Sequence, residues 1–331
     1  MKGHFADQLI TLITAALEDK GQVILFQNRR GFSPVVECTT CGVAPQCPNC
    51  DVSLTYHKYR NELKCHYCNY QRAMPNNCSA CGSNTLDTKG FGTEQIELEL
   101  KEIFPTYTIG RMDLDTTRGK HGYQKIIGAF EAQEIDVLVG TQMLSKGLDF
   151  ENVSLVGILN ADTMLNFPDF RAHERSYDMM VQVSGRAGRS KKQGNVAIQT
   201  FNPYHQILQQ VSTTNYAEMY KEQLQERWQY HYPPYYRLIK ITLKHKDYIK
   251  VDSGVNWLAK ALQNVFRENV LGPTAPVFSR VRNQYIKNLT IKIPPKQNLA
   301  ETKKQLDKIK NTFQSVKEFR PIRFIVDVDA Q

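Results

Sequence analysis

Two arginines, Arg186 and Arg189, stand three residues apart in the run QVSGRAGRS. On a helix that spacing turns both guanidinium groups to one face, and the flanking glycines allow another surface to come close. Guanidinium groups so placed act as arginine fingers, stabilising charge on a transferring phosphoryl group. The same run supplies Gln182 as a polar neighbour. Nucleotide hydrolysis is the chemistry suggested, and it requires a phosphate cradle somewhere.

A second chemistry lies in the cysteines. All eight fall between Cys38 and Cys81, in four C-x-x-C units: Cys38/Cys41, Cys47/Cys50, Cys65/Cys68 and Cys78/Cys81. After each second cysteine comes Gly42, Asp51, Asn69 or Gly82, residue types that tolerate the left-handed turn of a metal knuckle. Eight thiolates match two tetrahedral Zn2+ sites. Five residues separate Cys41 from Cys47, a short span for folding two knuckles onto one ion, whereas fourteen separate Cys50 from Cys65. Cys47, Cys50, Cys65 and Cys68 are therefore expected to form an inner site, nested within an outer site of Cys38, Cys41, Cys78 and Cys81. Disulfides or iron–sulfur clusters are the competing reading. His57 and His66 read as surface residues rather than ligands. The strip Thr55–Tyr70 interleaves aromatics with Lys58, Arg60 and Lys64, which suits either stacking of single-stranded bases or a small zinc-hairpin core.

These groups need elements to hold them. A helix over 4–19 and a buried strand Gln22–Phe26 precede the cysteines, and the loop Asn28–Phe32 leaves that strand. Beyond the cysteines come helix Thr93–Phe104, strand Tyr107–Met112, helix Tyr123–Glu131 and strands Ile135–Thr141 and Ser154–Asp162. Helix Ala172–Arg189 and strand Asn195–Thr200 complete the pattern. Short apolar strands alternating with helices predict an α/β lobe with a parallel sheet covered on both faces. After the hinge YHYPPYYR the order becomes strand (Leu238–Lys244), helix (Tyr248–Phe266) and strand (Pro276–Arg282). Strand (Leu289–Ile293), helix (Ala300–Ser315) and strand (Ile322–Val328) follow, a ferredoxin-like β-α-β-β-α-β arrangement. The expected division is 1–36 with 90–229 as one lobe, 37–89 as a zinc-binding insertion, and 230–331 as a basic C-terminal domain.

Charge follows that division. Residues 232–331 carry 19 Lys/Arg against 8 Asp/Glu, while residues 1–231 carry 23 against 25. A basic domain beside a near-neutral one points to a polyanion such as DNA, or to a solubilising surface. The most apolar stretch, LITLITAAL, is too short to cross a bilayer, and Met1 leads into an amphipathic pattern rather than a signal peptide. No membrane association and a cytoplasmic location are expected.

Four stretches of the lobe lie where strands are expected to end: LFQNRRGF, VGTQMLSKGLDFENV, NADTMLNFPDFRAHER and QVSGRAGR. Together with the cysteine array and the β-α-β-β-α-β tail, their order resembles the primosomal replication-restart DNA helicases, the PriA family of superfamily 2. The resemblance runs along essentially the whole chain. It implies a second RecA-like helicase lobe carrying the zinc insertion, and an ATP-dependent 3′→5′ DNA helicase that binds forked and single-stranded DNA. Primosome proteins and single-stranded-DNA-binding protein are the implied partners, with ATP and Mg2+ as further cofactors. By position, the resemblance puts Asn28, Arg29, Thr141 and Gln142 near DNA and Gly147 and Asp149 near the nucleotide. Gln182, Arg186 and Arg189 would face its γ-phosphate.

The chain departs from that family at its front. It contains no G-x-x-x-x-G-K-[ST] phosphate loop and no Asp-Glu dipeptide for a DExH motif. The expectation is a C-terminal fragment that lacks the first RecA-like lobe and has no ATPase activity alone. The alternative is a non-catalytic zinc-ribbon module for DNA binding and partner recruitment.

Overall fold

The first helix, α1 (Asp7–Glu18), buries Leu9, Ile13 and Leu17, which recur every four residues along one face. Strand β1 (Gln22–Phe26) is buried at every position, as a strand covered on both faces must be. The cysteine-rich segment follows with five short strands: β2 (Val35–Cys38), β3 (Thr55–His57), β4 (Glu62–Lys64), β5 (Gln71–Ala73) and β6 (Leu86–Lys89). Next come α2 (Thr93–Ile103), β7 (Ile109–Met112), α3 (Gly122–Glu131) and β8 (Val137–Gly140). A 3-10 turn at Gln142–Ser145 leads towards β9 (Val153–Ile158), α4 (Asp162–Leu165), α5 (Ala172–Ser184) and β10 (Asn195–Ile198). Helices α6 (Gln206–Ser212) and α7 (Tyr216–Gln229) precede β11 (Arg237–His245), α8 (Tyr248–Phe266) and β12 (Val270–Thr274). The last elements are β13 (Arg280–Val281), β14 (Gln284–Ile293), α9 (Leu299–Ser315) and β15 (Arg323–Val328). This computed structural model describes residues 3–28, 35–57, 60–89, 92–113, 116–117, 121–145, 150–188 and 194–329.

The chain folds as two units: Met1–Pro34 with Lys89–Gln223, and Val35–Thr88 with Leu224–Gln331. In the first unit the sheet order is β10-β9-β1-β8-β7. Its pairings among the described residues are all parallel. Alternation along β1 assigns its residues to two cores. Ile24 and Phe26 meet Phe130, Tyr177, Met180 and Val183 on one face. Val23 and Leu25 meet Leu9, Ile13, Ile96 and Leu100 on the other. The parallel α/β lobe read from the sequence is thus present.

In the second unit β11, β12, β14 and β15 form an antiparallel sheet ordered β12-β14-β11-β15, and α8 and α9 contribute to its core. This order fits the ferredoxin-like arrangement, with one correction. The second strand of the sheet is β12, not Pro276–Arg282. The sequence Gly272-Pro273 reads as a break, yet the strand tolerates it through a register shift between Leu271 and Thr274. Residues Arg280–Val281 instead form a separate short hairpin with the start of β14, in which Val281 pairs with Gln284.

Helix α5 supplies a second correction. It ends at Ser184, with Gly185 as its cap, rather than continuing to Arg189. Arg186 follows in a turn whose N–H donates to the Val183 carbonyl at 3.1 Å. The helical-face argument for the arginine pair therefore does not apply, and Arg189 itself lies outside the described residues.

His205 caps α6 by accepting a hydrogen bond from the Ile207 N–H through Nδ1, at 3.2 Å. Burial pushes its imidazole below the ordinary histidine range, the neighbouring His173 adds to this, and Asp162 opposes it. A histidine whose folded value is depressed favours the fold above its unfolded value near 6.5, and that contribution is lost as pH falls. Thermal unfolding of the zinc-loaded chain should therefore drop more steeply between pH 7.5 and 6 than that of His205→Asn, which keeps a capping acceptor. Circular dichroism melts at the two pH values measure this, and parallel declines would contradict it.

Candidate metal centres and ligand edges

Each C-x-x-C unit forms a tight knuckle because the N–H of its first cysteine bonds a carbonyl five residues on. Cys38 pairs with Val43, Cys47 with Val52, Cys65 with Tyr70 and Cys78 with Ser83, at 2.7–3.0 Å. Three knuckles close further through the residue after the second cysteine: Gly42, Asn69 and Gly82 have positive φ and donate to the carbonyls of Cys38, Cys65 and Cys78. The fourth departs from the expected pattern. Asp51 is absent from the positive-φ positions, and its N–H donates to the Arg280 carbonyl at 2.9 Å.

The knuckles converge in two groups, Cys38/Cys41/Cys78/Cys81 and Cys47/Cys50/Cys65/Cys68, with sulfurs within 4.8 Å of one another in each. These are the nested groupings expected from the spacing. Sulfur separations of 3.6 Å (Cys38–Cys81), 3.6 Å (Cys41–Cys78) and 3.5 Å (Cys47–Cys68) far exceed a disulfide bond of about 2.05 Å. They approach the edge of about 3.8 Å of a tetrahedron with Zn–S near 2.3 Å. The donor set and its geometry fit zinc, and the ion would supply the positive charge that lets four thiolates share one point. His57 and His66 stand with ring centroids 5.3 Å apart and belong to neither quartet.

Polar neighbours tune the sulfurs. In the outer group the Ser83 hydroxyl lies 3.1 Å from both Cys38 and Cys81 sulfurs. Hydrogen bonding from Ser83, then Thr85, pulls the Cys38 thiol down to about 5. In the inner group burial pushes the Cys50 thiol up, while a hydrogen bond from the Arg282 N–H at 3.2 Å opposes it. Sequence reasoning misses these partners. The hydroxyls of CGSNT just past Cys81 carry a local signal for one set, but nothing near the cysteines points to Arg282. For the Thr55–Tyr70 strip, the core reading gains support at two positions: Tyr56 and Tyr70 pack against a cluster of Val36, Val52, Leu54 and Leu63.

The lobe separates its candidate residues between opposite sheet edges. Asn28 follows β1, and Thr141 and Gln142 follow β8, its parallel neighbour in which Gly140 pairs with Phe26. They emerge together at the C-terminal edge, where Asn28 Oδ1 is buried with no hydrogen-bond partner among the described residues. The sequence places the run QVSGRAGR at this same edge. Instead the Gly188 N–H donates to the carbonyl of Val153, the first residue of β9, at 3.0 Å. Arg186 thus sits near the N-terminal edge, one turn past Gln182, which is exposed at the end of α5. The parallel sheet causes this: α5 crosses back over it, so its two ends serve opposite edges. Arg29, Gly147, Asp149 and Arg189 lie outside the described residues. Asp162 and Asp169 have local structural roles: Asp162 accepts from Thr200 and the Phe201 N–H, and Asp169 pairs with Arg175 at 2.8 Å.

Metal analysis of the purified chain should find about two zinc ions. The double substitution Cys47→Ser/Cys65→Ser should remove one and leave the outer ion, and Cys38→Ser/Cys78→Ser should do the reverse. Loss of both ions from either variant would contradict two separate sites.

Comparison with known proteins agrees with this architecture. Residues 47–72 match the PriA DNA helicase Cys-rich region domain, residues 87–191 the helicase conserved C-terminal domain, and residues 229–331 the primosomal protein N C-terminal domain. The replication restart protein PriA of Bacillus subtilis is 40% identical over 307 residues, covering 92% of this chain and 38% of that protein. That of Haemophilus influenzae is 38% identical over 327 residues, covering 98% and 44%, and that of Treponema pallidum is 40% identical over 290 residues, covering 87% and 44%. The chain thus spans about two fifths of the length of these curated relatives. Matched along its cysteine-rich segment, its parallel lobe and its C-terminal sheet, the chain belongs to the PriA family of replication restart proteins.

Proposed function

We propose that this chain is the C-terminal part of an ATP-dependent 3′→5′ DNA helicase acting in replication restart. The observation that carries the reading is the joining, in one chain, of a helicase-type parallel lobe with two four-cysteine centres and a basic C-terminal sheet. In this reading the lobe (1–36 with 90–229) closes over ATP and Mg2+ held by another lobe. Arg186 and Arg189, oriented with Gln182, then stabilise charge on the γ-phosphate, and Gly147 and Asp149 line the nucleotide's near side. Asn28, Arg29, Thr141 and Gln142 contact the DNA backbone from the other edge. The separation of Arg186 from Thr141 across the sheet supports this split, because hydrolysis and strand contact then act on opposite ends of the same strands.

The zinc-binding insertion (37–89) and the C-terminal domain (230–331) engage forked and single-stranded DNA, primosome proteins and single-stranded-DNA-binding protein in the cytoplasm. Among the described residues no helix is long and apolar enough to cross a membrane. The chain alone lacks a phosphate loop and a DExH motif, so it hydrolyses no ATP by itself. That absence also favours the second reading, a module that binds DNA and recruits partners without chemistry of its own.

Three measurements test the proposal. DNA-stimulated ATP hydrolysis by the purified chain should be absent, and turnover that disappears in Arg189→Ala would refute its inactivity. When the chain is joined to a lobe carrying a phosphate loop, Arg186→Ala should lower turnover by about 10³-fold while nucleotide still binds. If only the second reading holds, wild-type and variant fusions will be equally inactive. For DNA, anisotropy titrations of a single-stranded oligonucleotide should weaken steeply with salt, by about 0.7 log units per phosphate contact per log unit of salt. A flat salt response would remove the basic sheet from the DNA path.

A further inference from the structure

The inner quartet differs from the outer one in what surrounds it. The hairpin β13–β14 turns through two residues, Arg282 and Asn283, with φ of 51° and 57°. Two successive positive φ values define a turn for which asparagine and glycine are the favoured residues. A long side chain such as arginine is uncommon there, and persists where surrounding contacts over-determine it. Those contacts all reach the two inner knuckles. The Arg282 N–H donates to Cys50 Sγ at 3.2 Å, and its Nε donates to the Tyr67 carbonyl, inside the Cys65–Cys68 knuckle, at 2.7 Å. The Asn283 N–H donates to the Asn49 carbonyl at 2.7 Å. Arg280 pairs with Asp51 at 2.9 Å, and Ser279 Oγ donates to the same carboxylate at 2.8 Å. Phe278 packs on Tyr67 with centroids 4.9 Å apart.

Asp51 explains why this is more than surface apposition. In the other three knuckles the corresponding N–H closes its own turn, whereas that of Asp51 is given to Arg280. The inner Cys47–Cys50 knuckle is thus completed by a residue about 230 positions along the chain. No such donor from the C-terminal sheet is described for the outer quartet, whose sulfurs are served by Ser83 and Thr85.

We propose that the inner metal centre is a composite site: residues 278–283 of the C-terminal sheet form its outer shell, and its zinc is the joint that locks this sheet to the cysteine-rich segment. A loaded four-cysteine site carries a formal charge of about −2, which N–H donors and the Arg280 and Arg282 guanidinium groups relieve. Loss of the ion lets the two inner knuckles part, and the turn that bridges them loses its seat. The inference depends on zinc in the quartets and is independent of the helicase reading.

Zinc release from the full chain to a chromophoric chelator tests it, since two ions should leave in two phases. The variant Cys38→Ser/Cys41→Ser, which keeps only the inner ion, identifies the inner phase. Arg280→Ala/Arg282→Ala, which trims two accessible side chains while keeping all eight cysteines and the Arg282 N–H, should accelerate the inner phase by about 10-fold, the lower end expected for outer-shell loss, and leave the outer phase unchanged. Equal acceleration of both phases, or of neither, would overturn the proposal. Hydrogen exchange supplies the reciprocal reading. Cys47→Ser/Cys50→Ser should deprotect residues 278–286 while β11 stays protected, and Cys38→Ser/Cys41→Ser should leave 278–286 protected. Unchanged protection in the first variant, or equal loss in both, would also overturn it. Absence of bound zinc in the unmodified chain would defeat the zinc reading itself, a result distinct from either.

Discussion

Four thiolates cannot occupy the corners of one small tetrahedron without a cation at its centre, and the second unit depends on that constraint twice over. The apolar cluster of the cysteine-rich segment has Val36, Val52, Leu54 and Leu63 as its buried aliphatic members, supplemented by the sulfurs of Cys47, Cys50 and Cys65. So small a core leaves little surplus over the conformational entropy of ordering the segment. Metal ligation supplies the missing free energy, because a site absent from the unfolded chain converts binding energy into folding energy. Nesting the sites adds an economy of chain entropy. Once the outer quartet joins residues 38 and 81, the inner one closes a loop that is already short. It also lays β2 beside β6, so the two ends of the segment run together.

Parallel pairing plays the corresponding part in the first unit. All strand C-termini must lie along one edge, and any segment that returns to begin the next strand must travel to the other. The path from Thr141 to Val153 makes that journey between β8 and β9, and α5 makes it between β9 and β10. Two loop-bearing edges therefore lie at opposite ends of strands four to six residues long, roughly 13–20 Å apart. Under the proposed function this spacing lets the rigid sheet couple phosphate contact at one edge to strand contact at the other. No deformation of the sheet itself is needed.

How much of this is legible in the sequence depends on how local each signal is. The C-x-x-C spacing reports geometry completed within six residues, and both quartets assemble as read. The core strand QVILF is equally legible, because burial on both faces leaves an unbroken apolar run. Less legible are features set by distant contacts. Gly185 carries a local stop signal for α5, but only the bond from Gly188 to Val153 shows where the chain turns to meet the sheet. Gly272-Pro273 disguises β12 as a loop, which moves the expected strand to residues beyond it. The turn at Arg282-Asn283 carries no glycine, and its conformation is held by knuckles more than two hundred residues earlier.

Electrostatics accounts for an arginine, rather than glycine, in that strained turn. The C-terminal hundred residues carry 19 Lys/Arg against 8 Asp/Glu, a field of self-repulsion for a compact sheet. Zinc-loaded cysteine quartets are fixed anions of about −2 each. Placing Arg280 and Arg282 against the inner one reduces the burden on both sides, and the Asp51 carboxylate extends the anionic face that Arg280 meets. Glycine would relax the backbone at 282 but give up the bond to the Tyr67 carbonyl. The strain at Arg282 is therefore offset by contacts that exist only while both inner knuckles hold their shape.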